Sequence, residues 1–199
     1  METSLGFGIS SLLNVFGGYR KTALRLIDVE NNCVVETYTP HRYFALSYRW
    51  GEDVEQVKLE SGTLSQKSGR RKVLLPKTIR DAITLTSRLE GGYLWTDVLC
   101  IIQDSEEDKK IQIGRMCNIY ANAVLTIVAG EGENANAGLS RVCNHTTDRP
   151  LLHDTLDTAQ RGWGSLLDGP WASRAWTYQE TILSKRLLLV LQDRIDLFC

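Results

Sequence analysis

Met116-Cys117-Asn118-Ile119-Tyr120-Ala121-Asn122-Ala123-Val124-Leu125-Thr126-Ile127-Val128-Ala129 changes its period part-way along. Up to Ala123 the buried face falls at helical spacing, with Ile113, Met116, Tyr120 and Ala123 in register. From 124 to 129 the residues run together as a compact β-branched strand, a pattern that suits a strand covered on both faces. Helix-period and strand-period segments alternate in this way along the chain. The expectation is therefore an α/β fold with a central, mostly parallel sheet flanked by helices.

Upstream of that stretch, Asp104 followed by Glu107 reads as a capping box that opens the helix. Residues 93–102 form a short apolar run interrupted by a lone acid, Asp97, and stopped by Gln103-Asp104. Before it, Pro76 suits a helix start, Ile79, Ile83, Thr86 and Leu89 repeat at helical spacing, and Gly91-Gly92 ends the element. Residues 52–71 mix charge with Gly and Ser and read as a long loop or weak hairpin. Residues 43–48 are an apolar strand ending at Arg49-Trp50-Gly51, and 23–29 with 33–38 make an N-terminal hairpin turned at Glu30-Asn31-Asn32. Downstream, 130–138 is a turn-rich loop and 139–167 a polar surface insertion. Residues 171–183 are expected to be helical, with 187–191 and 194–198 as a final strand pair.

The composition removes several classes. Of 199 residues 43% are hydrophobic and 24% charged, enough for one substantial core. Twenty-three basic residues stand against 24 acidic ones for a net charge of −1. They are scattered, so no footprint for nucleic acid is present. Cys33, Cys100, Cys117, Cys143 and Cys199 are odd in number and irregularly spaced, which fits reduced thiols in the cytoplasm. The apolar start, residues 6–17, is too short to span a bilayer and makes a poor signal peptide; a surface anchor and a disordered or docked tail are its two readings.

Three blocks in this order resemble the heterokaryon-incompatibility family of filamentous fungi. They are Ala45-Leu46-Ser47-Tyr48-Arg49-Trp50-Gly51, then Leu94-Trp95-Thr96-Asp97-Val98-Leu99-Cys100-Ile101-Ile102-Gln103-Asp104, then Arg174-Ala175-Trp176-Thr177-Tyr178-Gln179-Glu180. Thr96 and Ile102 depart from the family's usual isoleucine and asparagine. The resemblance implies a domain over 21–199 with an N-terminal extension over 1–20. Many family members continue further, so truncation at the C-terminus is one reading. The family is similar to the Toll/interleukin-1-receptor (TIR) fold, which implies a TIR-like three-layer architecture.

By that analogy Glu180 is the candidate catalytic residue, because TIR-like enzymes place an NAD-cleaving glutamate in a Ser-x-Trp-Cys-x-x-Glu-like segment, matched loosely here by Ser173, Trp176 and Glu180. Trp176 lies one helical turn before Glu180 and would share its face. A carboxylate there could stabilise an oxocarbenium-like state as NAD releases nicotinamide. It could equally fix the fold by pairing with Arg174 or Arg186, or bind a partner. Asp97 needs donors such as backbone amides, Arg49 or Trp50. Alternatively, it lies at a strand end and shapes a polar pocket with Ser47, Trp50, Gln103 and Glu180.

Cys100, with Leu99 and Ile101 beside it, reads as a buried inert thiol. Cys143, His145 and His153 lack zinc-site spacing, so no metal is expected. The 130–138 loop lacks a P-loop lysine, and Trp95, Trp163, Trp171 and Trp176 read as core or interface aromatics.

The resemblance implies an intracellular nonself-recognition domain that triggers programmed cell death on self-association, under an upstream receptor or regulatory protein. An NAD glycohydrolase using Glu180, with NAD as substrate rather than cofactor, and a non-catalytic adaptor are the alternatives.

Overall fold

The computed structural model describes residues 23–37, 41–51, 57–64, 75–140, 142, 164, 166–173, 177–192 and 194–199. Tail 6–17, most of 52–71 and 139–167, Cys143, His145, His153, Trp163, Arg174 and Trp176 lie outside them.

The hairpin forms as expected from β1 (Leu24–Asp28) and β2 (Cys33–Thr37). Asp28 holds the turn by accepting from the amides of Glu30 and Asn31 and from the Asn31 side chain at 2.9–3.0 Å. The Asn31 bonds hold this carboxyl below its ordinary pKa. β3 (Phe44–Ser47) is buried throughout. The helical turn α1 (Ser61–Leu64) follows, and then α2 (Lys77–Arg88) buries Ile79, Ile83 and Thr86. Leu89, placed by periodicity on the buried face, is 45% exposed because the helix has ended before it.

Residues 93–102 depart from a single apolar run. Only β4 (Tyr93–Trp95) is strand, and Asp97 opens a short helix, α3 (Asp97–Cys100), by accepting from the Val98 amide at 2.8 Å. An acid that bonds its own neighbouring backbone competes with the ladder and ends it. The next helix also differs. Ser105 rather than Asp104 caps α4 (Glu106–Gly114), accepting from the Asp108 amide at 3.2 Å, while Asp104 accepts from Ser61. The helical stretch breaks at Arg115 before α5 (Met116–Asn122), leaving Ile113 exposed. β5 (Leu125–Ala129) is buried at every position. A 3-10 turn (Pro170–Ser173) and α6 (Thr177–Ile182) stand where one helix was expected, and β6 (Leu187–Val190) with β7 (Ile195–Phe198) completes the chain.

The strands form one seven-stranded sheet in the order β2-β1-β4-β3-β5-β6-β7. β4-β3, β3-β5 and β5-β6 are parallel, whereas β1 joins β2 and β4 antiparallel and β7 folds back on β6. The sheet is thus mixed rather than mostly parallel: the short turns of the β1-β2 and β6-β7 hairpins allow only antiparallel neighbours. α2 packs against β3 and β4, and α5 against α6, so helices cover the sheet in an arrangement compatible with three layers.

Among the described residues the buried apolar side chains form two clusters. The main one joins the sheet to α2 and α5, and includes Trp95 edge-on to Tyr120 at 5.5 Å. The smaller one comprises Val128, Leu166, Trp171, Leu187, Leu189 and Leu191. Arg25, 4% exposed, crosses from β1 to the α3-α4 region, donating to the Cys100 carbonyl at 2.9 Å and pairing with Glu36 and Asp108. Gly138, at φ +83, lets the loop after β5 settle on α2, where its amide donates to Thr78 and the Leu139 amide donates to Asp81.

Candidate functional site

The four parallel strands lie in the order β4-β3-β5-β6, so the chain winds one way from β3 to β4 and the other way from β5 to β6. The reversal falls between β3 and β5, paired from Phe44–Leu125 to Ser47–Val128. In open α/β sheets the carboxyl ends beside such a reversal form the usual ligand crevice. Ser47, the last residue of β3, sits there.

Alternation along β3 puts Ala45 and Ser47 on the face opposite Phe44 and Leu46. Glu180, from the first turn of α6, reaches that face, and its carboxylate accepts the Ser47 hydroxyl proton. The indole N–H of Trp171 donates to Ser47 Oγ at 2.7 Å. An indole nitrogen only donates, so the Ser47 oxygen is the acceptor there and its single proton is committed to Glu180. Ser184 Oγ donates to the Glu180 carbonyl and meets Thr126 Oγ1 at 2.6 Å, tying the end of α6 to β5. Ser47 and Glu180 are each 1% exposed and Trp171 2%. The chemistry available is that of a hydroxyl polarised by a carboxylate, shut away from solvent in this conformation.

Trp50, Asp97 and Gln103 form a second polar group at the ends of β3 and β4. The Trp50 indole N–H faces both Asp97 carboxylate oxygens at 3.1 Å. The Gln103 side-chain amide donates to the Asp97 and Ile101 carbonyls, each at 3.0 Å. Asp97 thus has two of the donor types expected for it, a backbone amide and Trp50. All three residues are partly exposed, unlike the Ser47–Glu180 pair. Sequence reasoning named Ser47 and Glu180 but read Trp171 as a core aromatic; the hydrogen bond from a fully buried indole is the feature it lacked. Trp176, the remaining pocket residue, lies outside the described residues.

Cys100 is buried, and burial pushes its thiol up to about 12, against any nucleophilic role. Glu131, Ser140, Gln192 and backbone around Gly138 line a cleft of about 90 Å³ where β5 and β6 end. Among the described residues no cluster of His, Cys, Asp and Glu could hold a metal ion, and no helix is long and apolar enough to cross a membrane.

The family described as heterokaryon incompatibility protein (HET) matches residues 43–180, from just before β3 to Glu180 itself. The chain is also 27% identical over 99 residues to "Heterokaryon incompatibility protein 6, OR allele" of Neurospora crassa. That alignment takes in 45% of this chain and 14% of the relative, so the chain spans only a small part of that protein's length. No solved structure matches.

Proposed function

The chain belongs to the heterokaryon incompatibility family, and from that premise we propose that it is a fungal nonself-recognition domain, cytoplasmic, that triggers programmed cell death when copies of it associate. The domain takes in 21–199 and is open to continuation beyond them, with 1–20 as an extension and an upstream receptor or regulatory protein as its control. The observation that carries the reading is the closure of its polar centre: Glu180, at 1% exposure, is bonded to Ser47 within the fold. If the only conformation kept this pair buried, Ser47 and Glu180 could not meet a partner or substrate. A domain that is silent alone and works when clustered needs such a resting state.

Expression in a filamentous fungus tests the proposal. Cell death at high expression is expected, and normal growth with abundant folded protein would count against it.

A second reading, an NAD glycohydrolase of TIR-like type with Glu180 as catalytic carboxylate, is favoured by the place of Ser47 and Glu180 at the β3/β5 reversal, where ligands bind in open α/β sheets. Trp50, Asp97, Gln103 and Trp176 then shape the pocket, and NAD is the substrate. Nicotinamide release by concentrated protein, absent from Glu180→Ala, supports this reading. No release from folded, associated protein leaves a non-catalytic adaptor.

A further inference from the structure

Trp171 is held in two ways. Its ring packs in the smaller cluster with Val128, Leu166, Leu187, Leu189 and Leu191, separate from the main core. Its N–H is bonded to Ser47, which in turn is bonded to Glu180. The 3-10 turn that carries Trp171 also packs against α6, which carries Glu180. One side chain thereby ties the polar centre to the smaller apolar cluster, where it packs with five other buried residues. Units with little buried apolar area open at lower free energy than the whole molecule.

We propose that the Pro170–Ser173 turn is a latch: with Trp171 on Ser47 the centre is shut, and when the turn lifts, Ser47 and the Glu180 carboxylate face the crevice at the β3/β5 reversal. The inference rests on the reading above that this centre is the working part of the domain. It adds the residue whose departure uncovers it. Association drives the step only by binding the open form better than the closed one. The ligand uncovered carboxylate and hydroxyl would take is one with hydroxyl donors, such as a ribose.

Carbodiimide coupling of glycine ethyl ester to carboxyl groups, read by peptide mass spectrometry, tests the latch. Trp171→Phe keeps a ring in the cluster and removes the N–H. Glu180 should label about tenfold faster than in the parent, the shift that losing one buried hydrogen bond produces. Asp196, 7% exposed on β7, should be unchanged. Unchanged labelling of Glu180 in folded Trp171→Phe overturns the latch. Equal acceleration at Asp196 also overturns it, because that marks general loosening. If Trp171→Phe does not fold, amide hydrogen exchange in the parent protein gives the answer: the Ala172 amide should exchange faster than the amides of β5, and equal protection of the two overturns the latch. Nicotinamide release from NAD is followed on the same samples: faster labelling without release removes the glycohydrolase reading and leaves the latch standing.

Discussion

Ser47 and Glu180 are 133 residues apart in sequence and share one proton-bearing contact, the hydroxyl of the last residue of β3 donating to the carboxylate of α6. The pair joins the central strand to the β5-β6 crossover and is buried on both sides. Whatever else it does, it contributes to folding, because a buried donor and acceptor must satisfy each other.

Glu180→Ala should therefore cost about 1–3 kcal/mol of stability through the stranded Ser47 hydroxyl. Glu180→Gln keeps an oxygen able to accept that proton, so its loss should be less than half as large. Urea unfolding of the two variants checks this, and equal losses would show that the contact does not matter.

Arg25 should be among the costliest positions to substitute. Its guanidinium is nearly buried, and Asp108 also accepts from the Ile102 amide at 2.8 Å. Removing the cation leaves Asp108 uncompensated, so Arg25→Met should lose about 3 kcal/mol. Adding Asp108→Asn should restore part of that loss, measured by thermal or urea unfolding of the single and double variants.

Stability should fall on the alkaline side. Burial, the largest cause, raises the Cys100 thiol from 9.0 to about 12, opposed in part by the Thr96 backbone bond and Arg25. Burial likewise raises the Tyr43 hydroxyl, which donates to the Ile119 carbonyl at 2.6 Å. For both groups the folded state keeps its proton longer than the unfolded chain. Their contribution is complete below the unfolded pKa and is lost as pH rises toward the folded one. Unfolding measured between about pH 8 and about pH 11 should show a falling stability, with a shallower slope for Cys100→Ala. In the native protein Cys33 and Cys199, both exposed, should react with a thiol reagent well before Cys100.

The elements legible in sequence were those with an uninterrupted strand or helix period, the N-terminal hairpin and α2 among them. β3 and β5 are read directly because every residue in them is buried. β4 stops early for a local reason, since Asp97 bonds the Val98 amide and turns the chain into α3. The helix after it splits at Arg115, which leaves no signature in a periodicity that continues across the break. The site was legible only through resemblance: nothing in spacing relates Ser47 to Glu180 across 133 residues. Trp171 escaped because an indole that packs in an apolar cluster and an indole that closes a polar centre look alike in sequence.

The most direct test of the account fuses the domain to a module that dimerises on addition of a small molecule and expresses it in a filamentous fungus at a level the uninduced cell tolerates. Viability is then followed after the dimeriser is added, with folded protein quantified in the same cells. Rapid loss of viability on clustering, and none without the dimeriser, is the predicted result. Unimpaired growth of cells holding clustered, folded domain would contradict a death-triggering role for its self-association.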